Sequence, residues 1–158
     1  MSVGQSLTAE AILEAIHRHL AARHVCTLAT SQGDVPWAAS SFYVARGIDL
    51  FVCQGTRART LANMRANPRV GFAVDDGKAE AWLQGLGVAA PTGLEDETWA
   101  REQLRERAPE FTHHFTNPEQ PVLLISVAEV TFADRPHGIY PRQHLKSKDG
   151  RWEFADGR

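Results

Sequence analysis

Apolar runs of strand length, each cut off by turn-forming residues, follow one another along most of this chain and restrict it to a mainly β, antiparallel fold. Val25 to Thr30 is β-prone, Ser31-Gln32-Gly33-Asp34 is turn chemistry, and Val35 to Val44 returns as a second strand, which makes a hairpin. Arg46-Gly47 turns the chain into Ile48 to Cys53, a third strand of the same meander. Val70 to Val74, the turn Asp75 to Lys78 and Ala79 to Ala89 read as a second hairpin, in which Gly85 and Gly87 mark a bulge or bend. Val122 to Phe132 supplies a last long strand.

Helical periodicity interrupts this pattern at three places. Thr8 caps a helix over residues 8–22, with Glu10 in its first turn and Ile12, Leu13, Ile16 and Leu20 at helical spacing. Leu61, Met64 and Arg65 lie in a short helix closed by Asn67-Pro68. Residues 94–108 carry Ala100, Leu104 and Ala108 on one face and Glu97 four before Arg101 on another, the pattern of a surface helix. From His137 onward, turn formers and charge leave only an edge strand at Trp152 to Phe154 to be assigned. About six strands joined mostly by short turns, with no βαβ rhythm, predict a small antiparallel barrel with inserted helices.

At 158 residues the expected organisation is a single domain over 1–158. A formal charge of -2 gives no whole-molecule attraction for nucleic acid or anionic lipid, so any anion site has to be local. The longest apolar stretch, Val122 to Val130, is interrupted by Ser126 and Glu129 and is too short for a membrane span. With no basic-then-apolar signal at the N-terminus, a cytoplasmic protein is expected. Cys26 and Cys53 lie in separate apolar runs without Cys-x-x-Cys spacing and read as buried free thiols.

Gln54-Gly55-Thr56-Arg57-Ala58-Arg59-Thr60 stands between an apolar strand and a helix start. Free amides, the positive end of a helix, two guanidinium groups and two hydroxyls on such a segment suit a phosphate. The alternative is a solvated turn whose arginines serve only solubility. The P-loop spacing Gly-x4-Gly-Lys-Ser/Thr is absent. Gly85-x-Gly87-x-x-Ala90 mimics a dinucleotide fingerprint, but Pro91-Thr92-Gly93 follows where a helix should open, so it reads as strand bends. None of the seven histidines has a metal-ligand spacing, and Asp75-Asp76 reads as a turn. Trp37 and Trp82 are packing residues, or flank a flat ring.

The runs Val25 to Thr30, Trp37 to Tyr43 and Leu50 to Cys53, followed by Thr56-Arg57-Ala58-Arg59-Thr60-Leu61-Ala62-Asn63-Met64-Arg65-Ala66-Asn67-Pro68-Arg69-Val70, resemble the pyridoxamine 5'-phosphate oxidase-like FMN-binding split β-barrels. The likeness covers roughly residues 10–133 and implies a six-stranded, Greek-key split barrel that forms a homodimer with FMN at the subunit interface. It places Arg59, with Arg57, Thr56 and Thr60, at the FMN phosphate. Ala39, Ser40 and Ser41 fall on the strand that runs along the flavin, and Gln54 at the start of the phosphate loop. Thr60 stands where the oxidase has a lysine, Ala38 and Tyr43 replace two basic residues, and Gln143 to Arg158 holds no counterpart of the oxidase's substrate-recognising segment. The resemblance therefore implies an FMN-dependent oxidoreductase of unassigned substrate, open to a nicotinamide reductant and inactive toward pyridoxamine 5'-phosphate. Two alternatives are a non-catalytic FMN-binding or sensing module and a haem-binding split barrel. No catalytic residue and no metal ligand is nominated.

Overall fold

Alternation of buried and exposed side chains is the organising pattern of the sheet: along β1 (Val25–Gln32), Cys26, Leu28 and Thr30 are buried while Val25, Thr27 and Ala29 are exposed. The computed structural model describes residues 6–155; residues 1–5 and 156–158, which the single-domain expectation also takes in, lie outside them. α1 (Ala9–Ala21) precedes β1, and β2 (Val35–Arg46), β3 (Asp49–Cys53), α2 (Arg59–Ala66), β4 (Arg69–Asp75) and β5 (Ala81–Pro91) follow it. The chain continues through α3 (Leu94–Arg107), α4 (Thr112–Thr116), β6 (Val122–Asp134), β7 (Ile139–Lys148) and β8 (Arg151–Phe154).

The strands lie in the order β3-β2-β1-β4-β5-β6-β7-β8, and β6 also pairs with β3. That second pairing closes the first six strands into an antiparallel barrel, the architecture expected from the sequence. β5 runs along one edge of β6, while β3 and β7 share the other: β3 takes residues 122–125 and β7 takes residues 129–134. β8 lies at the outer edge, as the Trp152 to Phe154 pattern predicts. β7 went unassigned because only Ile139 and Leu145 of its ten residues are buried and Pro141 interrupts it, which leaves almost no period to read.

The barrel interior holds Leu28, Tyr43, Leu50, Val52, Ile125 and Phe132. α1 packs against this core through Ile12, Ile16 and Leu20, and the Tyr43 hydroxyl donates to the Leu20 carbonyl at 2.7 Å. Thr8 caps α1 as predicted, its hydroxyl accepting from the Ala11 amide at 3.1 Å. A second cluster lies outside the barrel wall, where Val44, Phe51 and Cys53 meet Ala100 and Leu104 of α3 together with Phe115. α3 thus buries its predicted apolar face. Its Glu97–Arg101 pair is drawn inward too, with the Arg101 side chain only 14% exposed.

Gly85 and Gly87 do shape β5. A Cβ at Gly85 would collide with the Phe72 ring, and one at Gly87 would stand 2.6 Å from the Ser126 carbonyl oxygen. The β5–β6 register shifts between Leu86 and Gly87, so the fingerprint-like glycines are a bulge that lets neighbouring strands approach.

Among the described residues no element covers the outer face of β2, β1, β4 and β5. It presents small residues, including Ala38, Ala29 and Gly71 in one cross-strand row, and ends in Leu86 and Val88, 55% and 47% exposed.

His19 is buried between α1 and the sheet, its Nε2 donating to the Val74 carbonyl at 2.8 Å and its ring edge-on to Phe132. Burial holds its pKa below the ordinary 6.5, an effect that the Val74 contact only partly opposes. The unfolded chain therefore takes up this proton first, and the His19 contribution is intact above pH 6.5 and lost as pH falls below it. Urea titrations at about pH 7 and about pH 5 should show a larger loss of stability in the parent than in His19→Gln. For the β5 bulge, Gly85→Ala should cost about 1 to 3 kcal/mol by overpacking against Phe72, measured in the same titration.

Candidate functional site

The connection from β3 to α2 is the segment singled out from the sequence, and local bonding fixes its shape. The Gln54 amide donates to the Pro121 carbonyl at 2.9 Å, which ties the end of β3 to the start of β6. Gly55 to Ala58 form a tight turn closed by the Ala58 amide on the Gly55 carbonyl at 2.9 Å. Ala58 is the N-cap of α2 and carries no side-chain oxygen, so no capping side chain accepts from the first-turn amides. Thr56, Arg57 and Arg59 are exposed, and Thr60 is buried at the second position of the helix. Among the described residues no carboxylate forms an ion pair with Arg57 or Arg59. A helix N-terminus and two unpaired guanidinium groups therefore share one short turn.

β2 forms the adjoining wall. Trp37, Ala39 and Ser41 alternate onto one face of the strand, while Ser40 falls on the opposite face, across from Thr27. Gln54 is buried and its Nε2 donates to the Ser41 hydroxyl at 2.9 Å. The Arg59 guanidinium lies over the Trp37 ring, 4.6 Å from its centroid. The structure thus brings Ser41, Gln54 and Arg59 to one side of β2 and leaves Ser40 apart from them.

Two asparagines hold α2 in place, Asn67, read from the sequence only as a stop signal, and Asn63, to which the sequence reading gave no role of its own. Asn63 Nδ2 donates to the Thr30 hydroxyl at 3.0 Å in a buried bond, and Asn67 Nδ2 donates to the Ser31 hydroxyl at 3.0 Å. Asn67 Oδ1 also accepts from the Arg69 amide at 3.2 Å, which turns the chain from α2 into β4. Their spacing of four, from inside α2 to its C-cap, was the available signal for a shared side.

Arg101 supports the loop from below. Its Nη1 donates to the Phe115 carbonyl at 2.6 Å and to the Asn117 carbonyl at 3.2 Å. Its Nη2 donates to the Gln120 carbonyl at 2.6 Å and to Glu97 at 2.7 Å. Gln120 then borders the β3–α2 turn: its side-chain Oε1 is buried without a hydrogen-bond partner and lies 3.7 Å from where a Cβ on Gly55 would stand. Cys53, packed beside Arg101, has its thiol pushed up to about 11 by burial, and burial takes Cys26 to about 12. Both thiols are free, protonated and unsuited to nucleophilic work.

An open groove of about 790 Å³ lies on the outer sheet face, floored by Ala29, Gly71 and Gly87 and flanked by Leu86, Val88 and Arg69. It is distinct from the β3–α2 turn. Among the described residues no group of three or more His, Cys, Asp or Glu side chains could hold a metal ion. No helix of the described residues is long and apolar enough to cross a membrane.

Fold and site together define a closed six-stranded barrel with a cationic strand-to-helix turn. The family model for pyridoxamine 5'-phosphate oxidase matches residues 12–134, and the chain belongs to that family. Among solved structures, a heme-binding protein from Mycobacterium smegmatis is 21% identical, with a TM-score of 0.72 over 91% of this chain and 60% of that one. This chain therefore spans less than two thirds of that protein's length. General Stress Protein 26 from Bacillus anthracis is 14% identical, with a TM-score of 0.70 over 86% of this chain and 98% of that one. A FAD-binding protein from Mesorhizobium loti is 20% identical, with a TM-score of 0.60 over 75% of this chain and 91% of that one. At these identities the likenesses establish the fold alone. No curated protein matches the sequence.

Proposed function

We propose that the chain binds FMN, with the phosphate at the β3–α2 turn, and acts as an FMN-dependent oxidoreductase. The observation that carries this reading is the uncapped N-terminus of α2 flanked by Arg57 and Arg59, neither of which forms an ion pair with a carboxylate among the described residues. The residues fit the group. Thr56, Arg57, Arg59 and the Thr60 amide supply donors for a phosphate, and the unpartnered Gln120 Oε1 suits an O–H or N–H donor of a ribityl chain or flavin ring. FMN supplies the electron and hydride chemistry, so the chain has to bind it, orient it and admit a small-molecule substrate or nicotinamide reductant. Gln54, held on Ser41, and Ala39 form the strand wall of this site.

The reading extends to a homodimer formed through the outer face of β2, β1, β4 and β5. Its small residues and the exposed Leu86 and Val88 make a shallow, mostly apolar groove that a second copy can cover. Two free buried thiols suit a reducing, cytoplasmic setting. A second reading, haem binding, draws on the M. smegmatis likeness and on one to HutZ, the heme storage protein of Vibrio cholerae. Against it, the 790 Å³ groove has no histidine in its lining to ligate iron.

The visible spectrum of the purified protein separates flavin from haem, and anaerobic NADH or NADPH should bleach the flavin band of a catalytic protein but leave a passive carrier oxidised. Arg59→Ala should weaken FMN by about 1.5 to 3 kcal/mol, roughly tenfold to a hundredfold, with riboflavin little affected; unchanged FMN affinity would place the phosphate elsewhere. Light scattering should give twice 17.5 kDa for the parent, and Leu86→Glu should shift it toward a single copy.

A further inference from the structure

Resting on the phosphate reading above, the geometry points to a specific role for Trp37. We propose that Trp37 is a positioning residue that holds the Arg59 guanidinium ready for a phosphate ligand. Over residues 37–41 of β2 the sequence runs Trp-Ala-Ala-Ser-Ser, so Trp37 is the one large side chain on this stretch. It is 39% exposed, so part of its ring is open to a neighbouring side chain. What lies on its face is Arg59, at 4.6 Å.

The kind of contact matters. A carboxylate partner would occupy the N–H edges of a guanidinium and cancel its charge. An aromatic face instead engages the cation through its flat side and leaves the in-plane donors open. Arg46 shows that a stacked guanidinium keeps its edges free to bind an anion: it lies 4.2 Å over the Trp99 ring while its Nη1 pairs with Asp96 at 2.7 Å. Arg101, by contrast, is tied edge-on to Glu97 and three carbonyls. Arg59 is oriented by an aromatic ring at the turn where α2 presents its uncapped amides. Trp37 is itself fixed, because it sits opposite Thr30 in the β1–β2 ladder and Thr30 is bonded to Asn63 of the same helix. The indole and the guanidinium are thereby held to one rigid unit, and the arginine loses less freedom when a phosphate arrives.

The test is titration of FMN and riboflavin into the parent, Trp37→Gln, Trp37→Phe, Arg59→Ala and the Trp37→Gln/Arg59→Ala double variant, with circular dichroism and melting to compare folding. Trp37→Gln should weaken FMN about three- to tenfold and leave riboflavin unchanged, so that the preference for the phosphorylated ligand falls. Trp37→Phe should restore most of that preference, and Trp37→Gln should add nothing in the Arg59→Ala background. Equal loss of both ligands, or additive losses in the double variant, would overturn the positioning role. If Trp37→Gln has no effect while Arg59→Ala still weakens FMN, this inference fails and the phosphate site stands. If Arg59→Ala also has no effect, the phosphate reading itself fails. Should Trp37→Gln not fold, Trp37→Phe against Trp37→Leu provides the same comparison.

Discussion

Four residue pairs, from Leu50 opposite Ile125 to Cys53 opposite Val122, close the barrel, and the candidate site depends on that ladder. Closure brings the end of β3 beside the start of β6, so the Gln54 amide meets the Pro121 carbonyl and Gln120 comes to rest against Gly55. Arg101 then secures the segment leading into β6 by bonding three of its carbonyls from α3. The β3–α2 turn is thereby bordered by a segment that is itself anchored on α3. Removing Arg101 would leave several polar groups without partners at once, which is a larger penalty than an exposed ion pair carries.

Charge is distributed with a division of labour. The chain as a whole is slightly acidic, yet its carboxylates serve other positions, as Asp96 does for Arg46 and Glu97 for Arg101. At the β3–α2 turn the cations are oriented without being neutralised. A local positive field can therefore persist on a molecule whose overall charge would not draw an anion.

Much of this was legible in the sequence because the relevant signals are local. Strand period, Gly-containing turns and the Asn67-Pro68 stop produced five of the six barrel strands to within a few residues, and the long apolar run from Val122 produced the sixth. The β5 bulge was readable from Gly85 and Gly87, although the reason for them, the Phe72 ring and the Ser126 carbonyl, is supplied by other strands. What could not be read were contacts between segments distant in the chain. Arg101 looked like half of an exposed i,i+4 pair, because its carbonyl partners lie 14 to 19 residues onward, from the end of α4 into the loop before β6. Strand alternation already separates Ser40 from Ser41, but only the pairing with β1 shows that Ser41, opposite buried Cys26, is the one on the side of Gln54. β7 was missed since a strand paired along the barrel's outside needs few buried residues to hold it.

The same closing ladder sets a condition on how the molecule is made. β3 and its partner on β6 are about 70 residues apart in the chain, so the meander of β1, β2 and β3 leaves a ribosome long before the strand that completes it. Until β6 emerges, β3 presents an open edge of Leu50, Phe51 and Val52 with unpaired backbone groups, the kind of edge that pairs with strands of other chains. The yield of closed barrel therefore depends on what happens during that interval as well as on the final stability of the barrel.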